Sequence, residues 1–170
     1  METLTAIKNR KSTRAFLNKE IPEEIITELL KAAMAAPSGV DRRPWEFYVI
    51  KSEENKKKVI DAMPFGKYPS PIIIIPCIKE SKTMPLMHDL AYCDLAAATE
   101  NTLLAATDLG LGTVWCAIYP GKDRIKAIKK ALGLPIGVTP YSAIYVGYID
   151  EEKDKGKIKD KFDESRIHII

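Results

Sequence analysis

Leu86-Met87-His88-Asp89-Leu90-Ala91-Tyr92-Cys93-Asp94-Leu95-Ala96-Ala97-Ala98-Thr99-Glu100-Asn101-Thr102-Leu103-Leu104-Ala105-Ala106-Thr107-Asp108-Leu109 is a long run of helix-forming residues. As a helix it would extend about 36 Å, at about 1.5 Å per residue. Leucine and alanine recur on nearly every side of it, and a helix of that kind must be covered on all sides. In a chain of 170 residues, a second copy of the protein is one way to cover it. Gly110 suits the position just past the helix end, because it takes left-handed backbone without a Cβ clash.

The segments around this helix alternate between the two regular periods. Thr3 to Asn9 reads as a short helix. Pro22 to Ala35 reads as a stronger one, with Glu23 and Glu24 at its positive end and Ile25, Ile26, Leu29, Leu30 and Ala33 on one face. Trp45 to Ile50 is aromatic and β-branched, as a strand requires. Glu53 to Met63 is helical, with Lys56, Lys57 and Lys58 expected on its wet side. Pro71 to Ile78 reads as a strand buried on both faces. Thr113 to Ile118 and Tyr141 to Ile149 add strands, and Arg124 to Leu132 adds a helix closed by Gly133. The expectation is one α+β domain over residues 1–170. A mixed central sheet of about four strands is wrapped by helices, and a charged C-terminal extension runs from Asp150.

Composition narrows the function classes. Hydrophobic residues make up 46% and charged residues 29%, which is ordinary for a globular protein. A net charge of +3 is too small to argue for nucleic acid as a partner. The apolar run Ile72–Ile75 is of strand length and is interrupted at Pro76, so no membrane partner is expected. The first residues have no basic segment leading into an apolar one, so no signal peptide is read there. Three cysteines at wide spacing fit reduced thiols and a cytoplasmic location. His88 and His168 are the only histidines, and no spacing suited to a metal occurs. Nucleophile elbows, phosphate-binding glycine loops and dinucleotide fingerprints are also absent. Such a chain points to a cofactor that carries the chemistry, with no catalytic side chain.

Two segments suggest where a cofactor would sit. Arg10-Lys11-Ser12-Thr13-Arg14 sets two guanidinium groups and a hydroxyl at alternate positions. Ala36-Pro37-Ser38-Gly39-Val40-Asp41-Arg42-Arg43-Pro44-Trp45 is a turn of restricted shape ending in an aromatic. On the residues alone, Arg10, Ser12 and Arg14 could be a solvated basic patch, an anionic-surface or RNA patch, or a phosphate clamp. Arginine forks and a short hydroxyl suit phosphate oxygens. Lys159 and Lys161 fall on one side of an extended tail, although lysine runs are more often solubilising.

Together these segments resemble the nitroreductase family, and the likeness continues in order along the chain. Lys67 ahead of Pro71–Ile75, Asp94–Asn101, Leu109–Trp115, Leu132–Pro135, Val146–Tyr148 and Lys159–His168 each match a family segment. The resemblance implies an FMN-dependent oxidoreductase, built as an intertwined homodimer whose 150–170 tail reaches the partner subunit. Arg10, Ser12 and Arg14 would hold the FMN phosphate and ribityl chain, Lys159 and Lys161 would complete the phosphate site, and Lys11 would be a neighbour. Pro37, Ser38 and Gly39 would pack on the isoalloxazine from the partner subunit. Asp41 falls where the family usually has Asn, and Arg43 where it often has Gln. Lys67 would sit by the polar edge of the ring, and the backbone of Cys116, Ala117 and Ile118 would approach its pyrimidine and N5 side. NAD(P)H would be a transient hydride donor, and a small nitroaromatic or quinone the acceptor. Dehalogenation, flavin breakdown and a non-catalytic FMN-binding redox sensor or interaction module stay open at this level.

Overall fold

The computed structural model describes residues 2–170. Five helices run in chain order: α1 (Thr3–Asn9), α2 (Glu23–Met34), α3 (Glu53–Ala62), α4 (Leu90–Asp108) and α5 (Lys122–Leu132). The strands are β1 (Trp45–Ile50), β2 (Ile72–Lys79), β3 (Gly112–Ala117), β4 (Val138–Pro140) and β5 (Ser142–Gly147). They form one sheet in the order β1-β2-β5-β3, and β4 pairs with β2 beyond the end of β5. The ladders between named strands are antiparallel. Parallel pairing enters at the isolated bridge between Ser12 and Thr113.

Strand β2 explains the layering. Ile73, Ile75 and Cys77 enter a core shared with Val59 and Met63 of α3 and its flank and Ile128 of α5. Ile72 and Ile74 enter another, shared with Ile26 and Leu29 of α2 and Leu103 and Ala106 of α4. Alternate side chains therefore feed opposite faces, as the pleat requires, and both faces are covered. The result is a sheet with α3 and α5 on one side and α2 and α4 on the other.

Several boundaries differ from the sequence expectation, for physical reasons. Helix α4 begins at Leu90 rather than Leu86, because Pro85 precedes a Leu86 held at φ 64°. Pro76 lies inside β2, within the strand expected over Pro71–Ile78. Its carbonyl accepts the Tyr141 N–H at 2.9 Å, so its missing N–H faces the junction where β5 gives way to β4. The short β4, with Pro140 at its end, carries no alternating pattern long enough to read. Lys56 corrects the wet-face assignment of α3: it is buried, and its Nζ donates to the carbonyls of Ser70 at 2.9 Å and Pro71 at 3.0 Å. That bond ties α3 to the 64–71 loop. Gly133 closes α5 in left-handed backbone at φ 62°.

Helix α4 is apolar on most sides, yet only part of it is covered. Ala91, Leu95, Ala98, Thr102 and Ala106 are buried, whereas Cys93 is exposed and Ala96, Ala97 and Leu104 are half-buried.

Candidate functional site

The edge strand β3 organises the site. The N–H of Thr13 donates to the Thr113 carbonyl at 2.8 Å, and Phe16 bridges to Ile149. These contacts lay residues 10–16 along the sheet edge. Gly112 permits the approach, since a Cβ there would stand 2.6 Å from the Thr13 methyl carbon. Thr13 is fully buried, which fixes its neighbours Ser12 and Arg14 at the rim.

A cleft of about 660 Å³ opens beside this segment. Its walls include Arg10, Lys11, Ser12 and Arg14 on one side and Gly156, Lys159 and Lys161 on the other. The structure thus brings together both cationic groups expected from the sequence, although about 145 residues separate Lys11 from Gly156 along the chain. Arg14, Lys159 and Lys161 make no ion pair among the described residues. Arg10 Nε lies 3.6 Å from Glu100 Oε1. Lys11 is engaged more fully: its Nζ donates to Asp154 Oδ2 at 2.7 Å and to the Gly156 carbonyl at 3.0 Å.

Cys116, Ala117 and Ile118 lie at the end of β3, next to this cleft rather than in its wall. Burial pushes the Cys116 thiol up to about 11, with the charge of Arg14 opposing the shift, so the sulfur stays protonated at neutral pH. Gly66, at φ 72°, packs so closely on this residue that a Cβ would lie 2.5 Å from Cys116 Sγ. Its neighbour Lys67 is exposed, on the loop that crosses the end of β3.

Pro37, Ser38, Gly39 and Asp41 do not line the cleft. They form a separate loop over the start of α4. There the N–H of Gly39 donates to Asp94 Oδ1 at 3.0 Å, and Ser38 Oγ accepts the N–H of Arg43 at 3.0 Å. Arg43 grips Asp41 with two bonds of 2.7 Å, Nε to Oδ1 and Nη2 to Oδ2. The Arg43 fork holds the Asp41 carboxyl below the usual carboxylate range. Val40, Asp41 and Arg43 all have positive φ, at 53°, 53° and 47°. Left-handed backbone in three non-glycine residues costs about 1 kcal/mol or more at each, and strain of this kind gathers at functional loops.

Sequence reasoning missed two residues. Asp154, inside a lysine-rich tail, resembles any solvating charge, yet its side chain is only 2% exposed. Asp94 is buried in a largely apolar helix, and a carboxylate flanked by Leu90, Ala91 and Leu95–Ala98 was the available signal. Among the described residues, no group of three or more His, Cys, Asp or Glu side chains could hold a metal ion. No helix of the described residues is long and apolar enough to cross a membrane.

Comparison with known proteins places this geometry in a family. The model described as "Nitroreductase family" matches residues 7–64 and 64–148. Two relatives carry the name "Putative NADH dehydrogenase/NAD(P)H nitroreductase". One, from Archaeoglobus fulgidus, is 39% identical over 98% of this chain and 97% of its own. The other, from Parabacteroides distasonis, has a solved structure at 36% identity and TM-score 0.89, covering 98% of this chain and 96% of that one. The solved FMN-dependent nitroreductase of Clostridium difficile R20291 is 27% identical with a TM-score of 0.85, and 98% of each chain is covered. With the family model spanning most of its length and close relatives matching end to end, the chain belongs to the nitroreductase family.

Proposed function

We propose that this chain is an FMN-dependent oxidoreductase that takes hydride from NAD(P)H and reduces nitroaromatics, quinones or similar small acceptors. The observation that carries the reading is the cleft in which Arg10, Ser12, Arg14, Lys159 and Lys161 converge. Cations outnumber carboxylates along this cleft, where Asp160 is the one acidic lining residue among those described, and a bound phosphate dianion relieves their mutual repulsion. Arginine forks and the Ser12 hydroxyl match phosphate oxygens, and the cleft has the size of an ordinary cofactor pocket. The residues present therefore fit the phosphate end of FMN.

When bound, the flavin supplies hydride acceptance from the nicotinamide and delivery to the second substrate. The chain binds, orients and tunes. Arg14 and Lys67 carry positive charge toward the region of the ring and favour its electron-rich form. Ala117, exposed at the end of β3, and the flanking Cys116 and Ile118 offer backbone groups to the ring edge. A protonated Cys116 presents no competing thiolate. The Arg43 fork cancels most of the Asp41 charge, so the acidic residue at this position does not impose a full negative charge on a nearby ring.

A homodimer completes the site in this reading. Pro37, Ser38 and Gly39 would reach the ring of the partner subunit. Val40 and Leu86 are strongly exposed, as are Phe162, Ile169 and Ile170 of the tail, and such apolar surface suits coverage by a second copy. Two cysteines are buried and free and a third is exposed and free, which accords with a cytoplasmic protein.

The test is spectroscopic. Purified protein should show flavin absorption, bleach anaerobically with NADH or NADPH, and recover on addition of a nitroaromatic or quinone. Stoichiometric FMN that bleaches but reoxidises sluggishly with every small oxidant would favour a redox sensor. A colourless protein that takes up no added FMN would overturn the proposal.

A further inference from the structure

The tail does not drift away from the sheet; it is strapped to the clamp. The N–H of Asp150 donates to the Ala15 carbonyl at 3.1 Å. Four residues on, the Asp154 carboxylate accepts from two residues of the clamp at once. Lys11 Nζ donates to Oδ2 at 2.7 Å, and the Arg14 backbone N–H donates to Oδ1 at 3.1 Å. Lys11 then binds the Gly156 carbonyl as well. Gly156 presses on the clamp so tightly that a Cβ would lie 2.9 Å from the Ser12 carbonyl oxygen. Residues 157–161, which form the far wall of the cleft, start immediately after this contact.

We propose that Asp154 is a positioning residue for the anion cleft, docking the 156–161 segment through Lys11 and the Arg14 amide so that Lys159 and Lys161 stand opposite Arg10, Ser12 and Arg14. This inference rests on the FMN reading above. It also reassigns Lys11, whose ammonium is committed to the strap and serves the cleft by holding its wall. The carboxylate is well suited to the task. It is buried, its two oxygens are used by different partners, and it spans side chain and backbone, so it fixes both the position and the orientation of the strap.

Electrostatics and positioning predict opposite signs for one substitution. Asp154→Asn removes a negative charge from the edge of an anion site, which by charge alone would strengthen phosphate binding. If Asp154 acts by holding the tail, the same change weakens FMN binding, by about tenfold, the loss expected for one charge-assisted bond. Asp154→Ala, which also loses the Arg14 amide bond, should weaken it further. In a Lys157→Ala/Lys159→Ala/Lys161→Ala background, Asp154→Asn should change FMN affinity by less than about twofold, because the tail lysines that line the cleft are gone.

The experiment is FMN titration of these four variants, Gly156→Ala and the parent, each as the full chain, with limited trypsin cleavage within 155–161 of the FMN-free parent, Asp154→Asn and Gly156→Ala as an independent readout of docking. Asp154→Asn and Gly156→Ala should both speed that cleavage, and Gly156→Ala does so without changing any charge. A parent that binds FMN, together with an Asp154→Asn variant that binds it equally or more tightly, would overturn this inference alone. So would an Asp154→Asn loss that persists undiminished when the tail lysines of the cleft are replaced by alanine. A parent that takes up no FMN would overturn the functional reading instead.

Discussion

The clamp at residues 10–14 and the loop at residues 37–43 are both candidate parts of one site, and they are built on opposite principles. The clamp is pinned along the edge of β3, its middle residue is buried, and a tail strap closes the cleft within a single chain. The loop is strained at three residues, exposes Val40 at 76%, and contributes nothing to that cleft. The difference teaches a division of labour. The cationic cleft is lined within a single chain, whereas the loop carries strained backbone and exposed apolar surface away from it. On the proposed reading the loop meets the flavin ring held by a second copy.

The largest effect should fall on the clamp. Arg14→Ala or Arg10→Ala should weaken FMN binding about ten- to hundredfold, the worth of a charged hydrogen-bonding group of about 1.5–3 kcal/mol. Equilibrium dialysis against FMN checks this, and Ser38→Ala, in the loop, should lose far less. Equal losses at both places would erase the distinction between them.

Next comes the strap's response to acid. Burial raises the affinity of Asp154 for a proton, but the bonds from Lys11 and the Arg14 amide outweigh it, and the carboxyl is held below its ordinary value. Its contribution to docking is therefore present above the unfolded value of about 3.9 and disappears only as pH falls through the lower folded value. An NMR titration of the Asp154 carboxyl carbon should give a midpoint below about 3.9. A midpoint above it would mean that the strap is loose.

Smaller effects belong to the loop. Val40→Gly relieves a left-handed backbone that valine tolerates poorly, while adding freedom to the unfolded chain. The net change in stability should be within about 1 kcal/mol by thermal or urea unfolding. A loss of several kcal/mol would show that the valine side chain is packed rather than strained. Smallest is the redox consequence of the Asp41–Arg43 fork. Arg43→Ala should lower the flavin midpoint potential by on the order of 10 mV, since about 30 mV corresponds to 1.4 kcal/mol for two electrons and exposed charges are worth less. Asp41→Asn, which leaves the Arg43 charge uncompensated, should raise it by a similar amount.

The fold was readable wherever a period was long enough to repeat. The Ile25–Leu29–Ala33 face of α2 and the doubly apolar Ile72–Ile75 run each name their environment, because only one packing buries them. Reading failed where tertiary context overrode local pattern. Lys56 looks solvated beside Lys57 and Lys58, yet two carbonyls of a distant loop draw it inside. The site divided along the same line. Arg10, Ser12 and Arg14 stand out by spacing and chemistry as one possible phosphate clamp among duller readings, and their assignment to the FMN phosphate with Lys159 and Lys161 comes from resemblance to the family. Asp154 is invisible because its role depends on where a flexible-looking tail lands.

The central claim is that the cations of one chain assemble around a single phosphate-bearing flavin. Titrating the flavin-free protein with FMN, while light scattering follows its mass in solution, tests this most directly. Saturation is expected at one FMN per chain on a dimer, and is lost when Arg14 and the tail lysines are replaced by alanine. A monomer that leaves excess FMN unbound would contradict it.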